Sequence, residues 1–248
     1  MRRFYVPREM FDKNTIRLSA DICKHIHRVL RLSKGDLIEV FDGECAFVAQ
    51  IKEISSHGGA GILKRKIEGG NKKKFLRIRL LPAVIKSNRM DFLIEKAVEL
   101  GVYEIQPILT YRGVVKAGKE KVRHWNNIAR ASASQSGRIY IPPVHLPIPF
   151  DEALEGAADI KVILHEKEQK IYLEDIIEAN MHTMASMSSL PIVALLSGPE
   201  GGFTEKEVAQ AIAKEHTPCG LGDAVLRAET APFVALSILN YLTRKMIK

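Results

Sequence analysis

Through the first seventy positions, apolar residues come in short runs with β-branched or aromatic members, each followed by a polar break. RRFYV, TIRLS, LIEVF, AFVAQIKEI and GILKRKI fit this pattern and predict strands. Within VFDGECAFV, Asp42-Gly43 stands where a tight hairpin turn needs it. One stretch breaks the series: SADICKHIHRVLRL sets Ile22, Ile26, Val29 and Leu30 near helical spacing, which leaves Lys24, His25, Arg28 and Arg31 for another face. Short strands with a single helix predict a small barrel over 1–70, and the polar stretch EGGNKKK (68–74) reads as a linker.

Beyond the linker, strand-like and helix-like patterns alternate. FLRIRLLPAVI predicts a strand, and SNRMDFLIEKAVELG a helix with Ser87 as N-cap and Gly101 as its stop. YEIQPILT is a strand again, EKVRHWNNIARASASQSG a helix, IKVILHE a strand, YLEDIIEANM a helix and PIVALLSG a strand. TEKEVAQAIAKE follows as a helix whose Thr204 and Glu207 fit a capping box. A short PCGLG leads to TAPFVALSILNYLTRKMI, a helix that Thr230 is placed to cap and that tolerates Pro232 in its first turn. Such alternation predicts an α/β domain over 75–248, with a mainly parallel sheet and helices on both faces. Ligands of such sheets bind beyond the carboxyl ends of the strands. The rule selects HEKEQ after Leu164, SGPEGG after Leu196 and GLGDAVLRAET after Cys219.

Composition narrows the class. No stretch approaches the roughly 18 uninterrupted apolar residues of a membrane span, and MRRFYVPREM has no apolar segment of a secretory signal, so a cytoplasmic location is expected. Cys23, Cys45 and Cys219 are odd in number and far apart, which predicts reduced thiols. The histidines show no metal-ligand spacing, so no metal is expected. The net charge of +8 is uneven: residues 1–74 hold 16 Lys+Arg against 9 Asp+Glu, and residues 75–248 hold 21 against 20. That asymmetry points to a polyanion bound by the first segment.

The loops carry the chemistry. GPEGG matches neither the phosphate-cradling G-x-x-x-x-G-K-[ST] nor the dinucleotide G-x-G-x-x-G, and it lacks a lysine. A phosphate there would meet the charge of Glu200. A nucleoside bearing a cationic centre would fit better, with Gly198, Gly201 and Gly202 allowing close approach of backbone. S-adenosylmethionine has both parts. A nucleotide-dependent hydrolase or kinase is disfavoured by the missing lysine.

LLSGPEGGFTEKE joined to LGDAVLRAETAPFVALSILNYL, together with KSNRMDFLIEKAVELGV, SQSGR and RVLRLSKGDLIEVFDG, resembles the RsmE family of ribosomal RNA methyltransferases over essentially the whole chain. The resemblance implies an N-terminal PUA-like β-barrel (1–70) that binds RNA and a SPOUT-class α/β methyltransferase domain (75–248) with a C-terminal trefoil knot. It implies a homodimer that uses S-adenosylmethionine to methylate N3 of a uridine in 16S ribosomal RNA of the small subunit. Matching cofactor positions are Leu164 in the first loop; Leu196, Ser197, Gly198, Glu200, Gly201 and Gly202 in the second; and Leu221, Gly222, Val225 and Leu226 in the third. The chain departs from the family at Ser197, where a bulky aliphatic residue is usual, and at Ala224, where an arginine is.

Uracil N3 carries a proton that must leave before attack on a methyl group. Arg227 or Arg138 is expected to stabilise the uracil oxygens, and Glu200 or Glu229 to orient or deprotonate the base. Arg2, Arg3, Lys24, Arg28, Arg31 and Arg138, with Lys64, Arg65 and Lys66, are candidates for gripping the RNA backbone, and Lys86 and Arg89 for the substrate side of the pocket. Other readings are a methyltransferase acting on ribose 2′-O or on transfer RNA, and an RNA-binding protein without catalysis.

Overall fold

The computed structural model describes residues 1–67, 76–113, 115 and 117–246. The linker expected at 68–74, with Lys72, Lys73 and Lys74, lies outside them. The chain forms two compact units, one from Met1–Lys72 with Arg130–Ile141 and the other from Lys73–Ala129 with Pro142–Lys248. Arg130–Ile141, placed by sequence in the second domain, thus belongs to the first unit.

In the first unit β1 (Arg3–Tyr5), β2 (Phe11–Asp12), β3 (Thr15–Leu18), β4 (Leu37–Phe41), β5 (Ala46–Ser55) and β6 (Gly58–Ile67) make one sheet in the order β1-β4-β5-β6-β3-β2. All pairs are antiparallel except β1 on β4. Alternation sends Ile16, Leu18, Ile38, Val40 and Ile51 into one core with Cys23 and Ile26. The β4–β5 turn forms at Asp42, whose Oδ1 accepts the N–H groups of Glu44 (2.9 Å) and Cys45 (2.7 Å).

The expected helix is α1 (Ala20–Lys24), capped by Ser19, and it passes into a π turn at His25–Val29. There the Leu30 N–H donates to the His25 carbonyl at 3.1 Å, five residues back. The wider turn breaks the 3.6-residue phase, so Ile26 stays buried while Val29, expected on the apolar face, is 66% exposed.

The second unit contains β7 (Arg77–Pro82), α2 (Ser87–Glu99), β8 (Glu104–Ile105), β9 (Ile108–Leu109), the start of α3 (Lys119–Ser136), β10 (Ile148–Pro149), α4 (Phe150–Leu154), β11 (Ile160–Leu164), α5 (Leu173–Ser186), β12 (Ile192–Ser197), α6 (Glu205–Ala213), β13 (Thr217–Cys219) and α7 (Thr230–Met246). Five strands form an all-parallel sheet in the order β13-β11-β12-β7-β8. Leu81, Ile163, Ala194 and Leu196 point to one face, where Phe150 and Leu154 of α4 and Val208 and Ala211 of α6 cover them. On the opposite side α7 packs against α2, α5 and β7.

The sequence reading needs three local corrections. YEIQPILT is two strands, because Pro107 cannot donate to a ladder; β9 leaves the main sheet to pair with β10. The N-cap of α2 is Lys86, and Ser87 is its first helical residue. Thr230 likewise begins α7, its N–H donating to the Arg227 carbonyl at 2.8 Å.

Candidate functional site

Parallel pairing brings the carboxyl ends of β11, β12 and β13 to one edge, and the loops leaving them enclose a cavity of about 480 Å³. Leu164, His165 and Glu166 form one wall. Ser197 through Phe203 form the second, and residues from Leu221 to Ala231 the third; Arg89 of α2 closes the remaining side.

Local crowding explains two of the glycines, one against a side chain and one against backbone. Gly202 has φ +67°, and a Cβ there would stand 3.0 Å from Oε1 of Glu166. A Cβ at Gly220 would stand 2.2 Å from the Glu168 carbonyl oxygen, while the Gly220 N–H donates to the Ile171 carbonyl at 2.9 Å. The loop after β11 is therefore pressed against the residue that follows β13, and only glycine permits it.

The middle loop is fixed from several directions. Phe203 is buried and packs at a tilt against Phe150, with ring centroids 5.5 Å apart. Next along the chain, Thr204 and Glu207 form the expected capping box: the Thr204 N–H donates to Glu207 Oε2 at 2.8 Å and the Glu207 N–H to Thr204 Oγ1 at 3.2 Å. The other oxygen of Glu207 accepts the Tyr111 N–H at 2.8 Å, and Arg112 Nη1 donates to the Gly201 carbonyl at 2.7 Å.

Charges inside the cavity are balanced. Arg89 Nη1 lies 3.5 Å from Glu200 Oε1, and Arg89 Nε lies 3.8 Å from Glu229 Oε1. Glu200 is thus half of an ion pair at the cavity wall, which accounts for a carboxylate in a loop that starts a helix. Glu229 is buried, and its Oε2 has no hydrogen-bond partner among the described residues. Burial pushes the Cys219 thiol up to about 12, with Asp175 and Glu168 adding to the effect. A thiol held protonated is no nucleophile.

Of the expected cofactor positions, Leu164, Ser197, Gly198, Glu200, Gly201, Gly202, Leu221, Gly222, Val225 and Leu226 all line the cavity. Leu196 does not: it is fully buried in the core beneath α4 and α6, since strand alternation turns it to that face. Arg227 and Arg89 line the cavity; Glu229 is not among the lining residues and is paired with Arg89. Arg138 belongs to the first unit, where burial lowers its guanidinium to about 10. Arg3 is also turned inward: it lies over the Phe41 ring at 4.7 Å and donates to the Gly137 carbonyl at 2.7 Å. That leaves Arg2, Lys24, Arg28, Arg31, Lys64, Arg65 and Lys66 exposed on the first unit and Lys86 on the second. Glu166 and Arg112 had no sequence signal to mark them. Among the described residues, no group of three His, Cys, Asp or Glu side chains is placed to hold a metal ion, and no helix is long and apolar enough to cross a membrane.

A family model described as an RNA methyltransferase domain matches residues 71–240. A ribosomal RNA small subunit methyltransferase E from Synechocystis is 34% identical, covering 97% of this chain and 77% of the relative. One from Bacillus subtilis is 30% identical, covering 98% and 97%. The chain belongs to the ribosomal RNA small subunit methyltransferase E family. Solved structures agree with that membership. The Neisseria gonorrhoeae member, crystallised bound to S-adenosylmethionine, superimposes with a TM-score of 0.85 at 30% identity, covering 98% of each chain. A putative methyltransferase from Legionella pneumophila, also in complex with this cofactor, gives 0.83 at 32% identity over 97% of each chain. The mixed α/β architecture is thus that of the family.

Proposed function

We propose that this protein methylates N3 of a uridine in 16S ribosomal RNA, using S-adenosylmethionine bound in the cavity of the second unit. The observation that carries this is a cleft walled by glycine backbone and carboxylates at the carboxyl edge of the parallel sheet, in a member of an RNA methyltransferase family. Glu166 against Gly202 and Glu200 at the cavity wall suit a cationic nucleoside and would repel a polyphosphate. When bound, the cofactor supplies an electrophilic methyl group and a sulfonium charge. Leu164, Ser197, Gly198, Gly202, Leu221 and Leu226 would hold it.

The protein's own groups handle the proton. Glu200, which lines the cavity, is the carboxylate placed to take up or orient the N3 proton, while Glu229, buried outside the lining, holds Arg89 at the cavity wall. Arg227, at the cavity wall, stabilises the negative charge that develops on the uracil oxygens. A positioned base contributes on the order of 100- to 10,000-fold. Arg138, desolvated within the first unit, is not the group that acts on the uracil.

This reading extends to the whole chain. The first unit is a PUA-like barrel that grips the RNA backbone, supported by its strand order and its exposed Lys24, Arg28, Arg31, Lys64, Arg65 and Lys66. The second unit carries a trefoil knot, supported by the pressing of the loop after β11 onto Gly220. The protein works as a homodimer in the cytoplasm; the exposed Phe92 of α2 and Tyr241 of α7 offer apolar surface for pairing. The test is incubation with unmodified small subunits and S-adenosylmethionine, followed by mass spectrometry of nucleosides. The expected product is 3-methyluridine. A 2′-O-methylated product, or none, would overturn the proposal.

A further inference from the structure

The loop Pro199–Phe203 contains two adjacent glycines, and glycine loses more backbone freedom on ordering than any other residue. A ligand that had to order this loop itself would bind correspondingly weakly. The loop is instead held before any ligand arrives. Arg112 Nη1 donates to the carbonyl of Gly201 at 2.7 Å and lies 3.4 Å from that of Phe203, while a Cβ at Gly201 would only touch the Arg112 Cδ at 3.4 Å. A single guanidinium nitrogen, Nη1, thus faces both carbonyls that flank Gly202, closely that of Gly201 and at longer range that of Phe203.

Arg112 is itself anchored. It stands in a tight turn in which the Gly113 N–H donates to the Thr110 carbonyl at 3.1 Å. The preceding residue, Tyr111, donates its N–H to Glu207, which is buried and simultaneously caps α6. One carboxylate thus fixes both the turn that carries Arg112 and the helix that the loop leads into. Arg112 does not line the cavity, so any influence on a ligand passes through the loop backbone.

We infer that Arg112 is a positioning residue that pre-orders the Gly201–Phe203 segment and so sets the affinity for S-adenosylmethionine without touching it. The inference rests on the reading of the cavity as the cofactor site. It is tested with Arg112→Ala and Arg112→Lys in the full-length protein, by calorimetry with S-adenosylmethionine, by steady-state kinetics on small subunits and by amide hydrogen exchange of the ligand-free protein. In Arg112→Ala the expected result is a Kd and KM for the cofactor raised about 10-fold or more, which is about 1.4 kcal/mol. The kcat at saturating cofactor and the KM for RNA should stay within about 3-fold, with Arg112→Lys recovering part of the loss. Exchange should quicken at residues 200–204 while β7 and β12 keep their protection.

Wild type that binds the cofactor, alongside Arg112→Ala that binds it equally well, overturns the role of Arg112 alone. A raised RNA KM with unchanged cofactor affinity also overturns it, because Arg112 would then be a phosphate contact. Faster exchange throughout the sheet would show a general loss of stability and defeat the inference too. Wild type that does not bind the cofactor removes the underlying reading as well. Should Arg112→Ala fail to fold, Arg112→Gln, which keeps a donor to one carbonyl, provides the same comparison.

Discussion

Glu229 Oε1 lies 3.8 Å from Arg89 Nε, and the carboxylate is buried while the guanidinium is partly open to solvent. The pair is asymmetric: removing the arginine strands a buried charge, whereas removing the carboxylate leaves a cation that water can reach. Arg89→Ala should therefore lower the free energy of unfolding by about 1–3 kcal/mol, and Glu229→Gln in the Arg89→Ala background should restore most of it. Urea denaturation of the two single variants and the double variant measures the coupling. Additive losses would mean that the two groups do not interact.

In the proposed reaction it is the other carboxylate paired with Arg89, Glu200, that acts on the proton. Glu200→Gln is expected to cut kcat by about 100-fold or more. Glu229→Gln, whose carboxylate lies outside the cavity lining, should cost far less in rate. Equal losses in both variants would remove the distinction drawn here between them.

Gly202 and Gly201 are neighbours with different constraints. Alanine at 202 would need φ near +67° and would crowd Glu166, whereas alanine at 201 makes an ordinary contact with Arg112. Gly202→Ala should destabilise the fold by about 1 kcal/mol and weaken cofactor binding about 10-fold or more. Gly201→Ala should change both much less. Thermal denaturation with calorimetry separates the two cases.

Cys219 gives an alkaline signature. Its thiol is held up at about 12 by burial, against about 8.5 in an unfolded chain. Because the folded form keeps the proton longer, its contribution to stability is complete below about pH 8.5 and is lost as the pH rises towards 12. Cys219→Ala should flatten the fall of stability across that window in denaturation curves. In native protein, thiol reagents should label the half-buried Cys45 first, with Cys23 and Cys219 reacting only on unfolding.

The periodicity of the chain conveyed the parallel sheet and its loops because those features are local: strand runs, a capping box at Thr204 and Glu207, and glycines at strand ends. The rule that ligands gather at carboxyl strand edges then selected the three loops that line the cavity, and the family resemblance named the positions within them. Arg112 stayed hidden because it reaches Gly201 across 89 residues of chain from a turn with no periodic pattern. Glu166 was equally silent, since nothing in HEKEQ distinguishes the carboxylate that meets Gly202. Val29 was misassigned for a different reason: a π turn shifts helical phase, and a 3.6-residue count cannot anticipate it.

The strand order has a consequence for synthesis. The cavity needs walls from β11, β12 and the segment that follows β13, and this last wall runs to Ala231, in the first turn of α7. A nascent chain that has not yet reached α7 has no finished cleft, so ligand capture waits for that last wall to be synthesised.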